Sequence, residues 1–569
     1  MNFHHELKER EETMFKHSHP SCSLPRLSTV AVAALLTCHA AHAFDFDTGN
    51  PDLKIRWDNT VKYSAAERLK DRSPGLSQTR FGPGGVIGPN NINQDDGDNN
   101  FDRGLVSSRV DLFSEVDLSY RNWGARVSGA AWYDQVYNRP TDNRTQTSNH
   151  FPASEFTDDT RRLMGRDAEI LDAFVYGNFN LEERQASFRL GRHTLLWGES
   201  LFFGANGIAG GQAPVDLIKL LSVPNSTFKE IARPTGKLSG QMQLSDAVTL
   251  GGYVGYEWDP TRLMPVGSYL SGSDALGPGA ERIFAGPAGT FTHTPDQTPS
   301  DGGQGGLQLR YRADAIDTDF GLYAIRFNSY TPSNLYTTLS GFPPALSACC
   351  YRWVYAEGIR AFGASFSKSI DQWGLAGEVS FRDNMPLASS SASVIPSIGV
   401  GTSINNGSIP GYAVGRTAHA QFSWIASLGP NFLARESSFI GEIAWNRRLS
   451  VTEGGQFLNP NTDRDAAAIR SVYAPTYRQV FSGLDLTPSI GVGYTAGRSS
   501  ALGPAFGPDK GGDVTLGLSG TYLNRWVVSL SYVHYYGSEG PTLDNNSNAQ
   551  FKQSLADRDY VSFSVRTTF

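Results

Sequence analysis

Five histidines stand beyond residue 43, at His150, His193, His293, His419 and His534, and beside a serine and a carboxylate any of them could serve acyl transfer or hydrolysis. None lies in a recognisable nucleophile motif, so no catalytic residue and no enzyme activity are expected. The run Asn93-Gln94-Asp95-Asp96-Gly97-Asp98-Asn99-Asn100 has the oxygen donors and the glycine that calcium loops use, but not the EF-hand spacing or its closing glutamate. It reads as a solvated turn, and neither a metal nor a cofactor is expected. Gly303-Gln304-Gly305-Gly306 lacks the strand-to-helix setting of a nucleotide loop. With a formal charge of -7 and no basic stripe, the chain is not expected to bind nucleic acid.

Charged residues at regular spacing are more informative. Between Val106 and Tyr120 the even positions are Val106, Ser108, Val110, Leu112, Ser114, Val116, Leu118 and Tyr120, while the odd ones include Arg109, Asp111, Glu115 and Asp117. A strand sorts side chains with period 2, so this pattern places lipid on one face and water on the other. The same sorting recurs where Ile55, Trp57, Val61 and Tyr63 alternate with Lys54, Arg56, Asp58 and Lys62. Glu378 and Arg382 alternate with Leu375, Val379 and Phe381, and Glu442 and Arg448 with Phe439, Ile443 and Trp445. Together with Arg126, Arg189, His193 and Arg566, these charged residues are the candidates to line a lumen. Both signs are present with no single-sign ring, which predicts weak ion selectivity or simple cross-strand pairing.

The elements that must position them follow from the connections. Short turns are expected at Arg121–Gly124, Leu181–Arg184, Ser245–Ala247, Ala315–Asp317, Ile370–Gln372, Leu428–Asn431, Thr487-Pro488-Ser489 and Leu523–Arg525. Long Gly, Pro, Asn and Asp-rich stretches lie between them, such as Asp71–Asp102, Arg139–Arg166, Asp259–Gly303, Asn384–Pro410 and Thr452–Ala474. Short periplasmic turns alternating with long extracellular loops indicate an all-β fold, a closed antiparallel transmembrane β-barrel of about 18 strands, wide enough for an aqueous channel or a plug. Trp123, Trp373, Tyr522 and Trp526 stand beside the turns, as an interfacial girdle requires.

The apolar run Leu27–Thr37 is too short for a membrane helix, which needs roughly 18 to 20 residues. Preceded by Lys16 and Arg26 and followed by Ala41-His42-Ala43, it reads as a secretory leader over residues 1–43, with translation expected to start at Met14; the barrel then occupies residues 44–569. Cleavage before Cys38 fits less well, because Thr37 stands where a small residue is preferred. Cys22 and Cys38 leave with the leader. The neighbours Cys349 and Cys350 could form a vicinal disulfide, but an unbonded pair in a loop is the preferred reading. At the other end Val561, Phe563, Val565 and Phe569 share one face with Ser562, Ser564 and Arg566 opposite, and this resembles the terminal strand read by the barrel-assembly machinery of Gram-negative bacteria. An integral protein of the Gram-negative outer membrane is expected.

The densest stretch is Gly191–Arg233, which leaves a strand near Trp197 and returns to one after Pro234. Its apolar piece Val215–Val223 cannot stand freely in water, so residues 197–232 are expected to fold back as a constriction loop or a cap. Here Gly191-Arg192, Trp197-Gly198-Glu199-Ser200, Asn206-Gly207-Ile208, Pro214, Asp216, Leu220, Pro224 and Lys229-Glu230 resemble the signature of a large Gram-negative family of unknown function, thought to be outer-membrane barrels. His193 departs from that pattern, where glutamine is expected. The resemblance implies work beside an RND-type inner-membrane transporter and a periplasmic protein similar to lipoprotein carriers. The expected function is a channel or conduit for small hydrophobic or amphipathic molecules. A barrel enzyme of lipase or protease type and a surface receptor are the alternatives.

Overall fold

The computed structural model describes residues 44–82, 85–86, 90–182, 184–405 and 408–569. The expected leader, with Met14 and Ala41-His42-Ala43, lies outside the described residues. Numbered in chain order, the long strands begin with β1 (Leu53–Arg68), β2 (Gly104–Tyr120), β3 (Trp123–Asp134), β4 (Arg166–Leu181), β5 (Arg184–His193) and β6 (Thr235–Ser245). Next come β7 (Val248–Gly255), β8 (Gln304–Ala313), β9 (Thr318–Phe327), β10 (Ile359–Ile370), β11 (Trp373–Pro386) and β12 (Val414–Leu428). The last are β13 (Glu436–Glu453), β14 (Asp465–Phe481), β15 (Leu484–Ala496), β16 (Gly511–Tyr522), β17 (Trp526–Tyr536) and β18 (Tyr560–Thr568). Each pairs antiparallel with the next, and β1 closes the ring by pairing with both β2 and β18, so that Val61 stands between Leu112 and Thr567. A short strand, Phe44–Phe46, continues the row along β1 where β18 ends.

Period 2 decides which side chain meets which solvent. On β2, Leu112, Val116, Leu118 and Tyr120 are exposed on the outer wall, while Arg109, Asp111 and Glu115 are buried inside. Apolar outside and charged inside is the inverse of a soluble protein, and it identifies an integral outer-membrane barrel. The hairpin turns are tight: at Leu523 and Asn524 both φ angles are positive, the geometry that suits the twist of a two-residue hairpin. Trp123 packs edge-on against Phe179 and Phe188 on the outer wall beside such a turn.

Several boundaries differ from the sequence reading, and the connection expected at Leu428–Asn431 runs over residues 429–435. The turn expected at Thr487-Pro488-Ser489 is at residues 482–483, and β15 runs straight through Pro488. Pro475 and Pro488 interrupt the ladder between β14 and β15, yet Pro488 still faces Leu518 on β16, so the prolines break one set of hydrogen bonds and not the strand. The loop expected over Thr452–Ala474 shrinks to residues 454–464, because β14 starts at Asp465. Its inward residues Ala466 and Ala468 are small and buried and carry no polar marker of a lumenal face.

The long loops are more ordered than their composition suggests. Segments Arg282–Phe284, Thr290–His293, Asn334–Phe342, Ala345–Val354 and Ala392–Val394 build a separate five-stranded sheet on the extracellular side. Cys349 and Cys350 lie in its strand Ala345–Val354 rather than in a loop, and both are free. Phe101, Tyr137, Phe156, Met164, Ile218 and Tyr269 form an apolar core inside the mouth. The expected solvated turn at 93–100 is also corrected: Asp95, Asp96, Asp98, Asn99 and Asn100 are all buried, because the loops around them close over the segment. Burial raises the Asp95 and Asp274 carboxyls well above the aspartate range and Asp96 to about 6. Such groups favour their protonated form, so their stabilising effect is full in acid and is lost as the pH rises through the raised values.

Leu322, at the middle of β9, is 57% exposed on the outer wall. Leu322→Arg is expected to destabilise the barrel by about 2–4 kcal/mol in reversible lipid refolding, as for any lipid-facing midplane position. An unchanged stability would show that this surface does not face hydrocarbon.

Candidate functional site

The chain between β5 and β6, residues 194–234, leaves the wall at a fixed point. The His193 ring is pinned by the Ser239 hydroxyl at 2.7 Å and the Gly191 carbonyl at 3.0 Å. Gly191 has φ +128°, and a Cβ there would stand 2.3 Å from the Ala173 carbonyl oxygen, so only glycine fits.

The first arm crosses to β11, β12 and β13. Trp197 meets Tyr253 edge-on at 5.2 Å and lies tilted on Tyr323 at 6.2 Å. Gly198 follows at φ +93° with no room for a side chain beside the Glu378 carboxylate. That carboxylate accepts from the backbone N–H of Glu199 at 2.8 Å and of Ile208 at 2.6 Å. Glu442, with no exposed surface, accepts from the N–H groups of Leu201, Phe202 and Phe203. Arg382 answers with opposite polarity, donating to the carbonyls of Ala205, Asn206 and Gly207 at 2.8–3.0 Å. The Asn206 side chain reaches Gln421, His419 and Asn446, and Ser423 donates to the Glu199 carbonyl. Three charged lumenal groups thus satisfy a stretch of backbone that has no strand partner.

The second arm crosses to β1 and β2. It holds two short helices, α1 (Leu217–Leu221) and α2 (Phe228–Ile231). Asp216 caps α1 at the Lys219 N–H and binds Arg262 at 2.8 Å, while Thr227 and Glu230 form a capping box on α2. Lys219 then places its ammonium 2.5 Å from Asp111, which Arg109 also holds through two bonds of 3.0 Å. Glu230 lies 3.6 Å from Lys62, and Lys229 lies 2.8 Å from Glu115. The Trp132 ring is flanked by the cations of Arg109, Lys219 and Arg262. In a ring of 18 strands, β2 and β12 are nearly opposite, so the two arms bridge the lumen.

The sequence candidates divide accordingly. Arg109, Asp111, Glu115, Glu378, Arg382 and Glu442 all bind the loop or its anchors, and Arg566 donates to the Asn225 carbonyl. Asp117 and Arg126 pair with each other, Arg189 lies over Phe174, and Arg448 donates to Ser500 at the mouth. Pro214 accepts from the Arg233 N–H. Phe563 faces outward, and the Phe569 backbone pairs with Asn59. Sequence reasoning missed Lys219, Arg262 and Glu169, although a lysine inside the apolar run Leu217–Leu221 is itself a mark of a buried partner. On one side the inner wall is aromatic and aliphatic, through Tyr253, Tyr323, Ile325 and Phe327; around β1–β3 it is charged. Below the first arm a chamber of about 420 Å³ is lined by Glu199, Ser200, Arg312, Asp319 and Lys368 among others.

The chain matches, over residues 24–569, the family described as "Protein of unknown function (DUF1302)", and it belongs to that family. No protein of curated function matches it. Among solved structures it is similar to Acinetobacter baumannii OccAB3, at 10% identity over 90% of this chain and 99% of that one, with a TM-score of 0.42. It is also similar to the outer membrane channel DcaP of Acinetobacter baumannii, at 8% identity over 93% and 100% of the two chains and a TM-score of 0.38. Pseudomonas aeruginosa OpdK, solved with vanillate, gives 12% identity, 90% and 98% coverage and a TM-score of 0.38.

Removing the Asp111 charge takes the nearest carboxylate from the buried Arg109 and Lys219 and leaves Lys219 only the more distant Glu230, at 3.8 Å. Asp111→Asn is expected to cost about 3–5 kcal/mol in urea unfolding of the refolded barrel, and adding Lys219→Met to recover much of it. Additive losses in the double variant would deny the coupling.

Proposed function

We propose that this member of the family is an outer-membrane channel for small hydrophobic or amphipathic molecules, with residues 194–234 as its gate. The carrying observation is how the first arm is held. Its backbone depends on the side chains of Glu378, Arg382 and Glu442 rather than on sheet pairing, so it can be released without breaking the barrel. The two-sided inner wall, aromatic at Tyr253, Tyr323 and Phe327 and charged at Lys62, Arg109 and Asp111, suits a cargo with an apolar body and a polar end.

The likeness of the Trp197–Ser200 and Lys229-Glu230 signature supports a place in an envelope-spanning pathway, with an RND-type transporter and a periplasmic lipid-carrier-like protein as partners. The C-terminal strand supports insertion by the barrel-assembly machinery. A conduit is favoured over an enzyme: among the described residues, none of the five histidine rings bonds both a hydroxyl and a carboxylate. His193 bonds Ser239 but turns its other nitrogen to a carbonyl, while His534 bonds Asp559 without a serine.

Glu442→Ala removes a charged acceptor of several backbone donors, each such bond worth about 1.5–3 kcal/mol. In planar bilayers the variant is expected to raise the open probability about tenfold or more over the wild-type barrel, since 1.4 kcal/mol is a factor of ten. Unchanged conductance in this variant and in a folded deletion of Pro214–Val223 would refute the gate.

A further inference from the structure

We propose that Asp95, Asp96 and Asp274, with Asn149, form a calcium site that ties three extracellular loops together. The residues come from separate connections: Asp95 and Asp96 from the one between β1 and β2, Asn149 from that between β3 and β4, and Asp274 from that between β7 and β8. One carboxylate oxygen from each aspartate lies within 4.8 Å of the others. Calcium–oxygen bonds of about 2.3–2.6 Å let a single ion touch groups spaced so.

The cluster has no counter-charge of its own. The neighbouring cations are committed elsewhere: Arg68 binds Asp98 at 2.6 Å and Asp557 at 3.2 Å, and Arg558 donates to the carbonyls of Tyr269 and Ser271. Among the described residues no salt bridge reaches Asp95, Asp96 or Asp274. Burying three carboxyls together is costly unless they take up protons or share a cation, and a cation held among their oxygens relieves that cost.

A second observation is independent of the carboxylates. Asn149 is 3% exposed, and its side-chain oxygen has no hydrogen-bond partner. It lines a small cavity of about 10 Å³ whose wall also includes Asp96, Asp274 and Asn100. That is space for one small occupant among oxygen ligands. The surroundings hold the donors in place: Asp274 accepts from the N–H groups of Asp95 and Asp96, and Asp96 from Asn143, Ser148 and the Asn149 N–H. With oxygen ligands and no sulfur, the set is that of a hard cation.

The test is calorimetric titration of calcium chloride into refolded, chelator-stripped barrel, with hydrogen exchange read in parallel. One site per chain is expected, with a dissociation constant of about 10⁻³ M or tighter, as for extracellular calcium modules. Asp274→Asn is expected to weaken it at least tenfold while the barrel keeps its heat-dependent gel mobility. Should that variant's loops misfold, the wild-type exchange pattern decides: calcium must slow exchange at residues 93–100, 148–150 and 272–276. Absence of saturable binding, binding undiminished in a folded Asp274→Asn, or protection confined to other segments overturns the site.

Discussion

A lipid bilayer offers no hydrogen bonds, and the pairing of β1 with β18 is the consequence on which everything else depends. With that seam formed, every long strand has two neighbours and no edge faces hydrocarbon. Closure also divides each strand into two solvents. The outer face becomes apolar with Leu112, Leu322 and Leu518, and the polar residues of every strand are directed to one shared interior.

An interior enclosed by 18 strands is too wide to be filled by its own wall, and it gathers charges that must be satisfied. The loop after β5 meets both needs. Its unpaired N–H groups meet Glu378 and Glu442, its carbonyls meet Arg382, and its cations Lys219 and Lys229 meet Asp111 and Glu115. Loop backbone and wall charges each lack partners when separated, so each explains the other's position. The same contacts give the loop a different standing from the wall: the wall is held by continuous ladders, the loop by discrete side chains.

On the extracellular side the loops follow the rules of a soluble domain. Their apolar core around Phe101, Tyr137 and Tyr269 excludes water, and that exclusion buries Asp95, Asp96 and Asp274. Ile218 of α1 belongs to this core, so the second arm of the lumenal loop is packed into the cap as well as pinned to the wall.

The barrel was legible in the linear chain because its causes are local. Alternation along β2 reports two solvents, and residues such as Leu523 and Asn524 report a tight turn, each within a few neighbours of itself. The errors came where local signals were ambiguous, at Pro488 inside a strand and at the small inward residues Ala466 and Ala468. Parity also placed Arg109, Asp111, Glu115, Glu378, Arg382 and Glu442 on the inner face, and the Gly191–Arg233 stretch stood out by its composition. What only the tertiary structure decided is who meets whom. Lys219 finds Asp111 across 108 residues, Glu442 finds the Phe203 N–H across 239, and Asp274 finds Asp96 across 178. Those partners are chosen by the curvature of the closed sheet and by which loops fit inside it, and no periodicity in the chain encodes either.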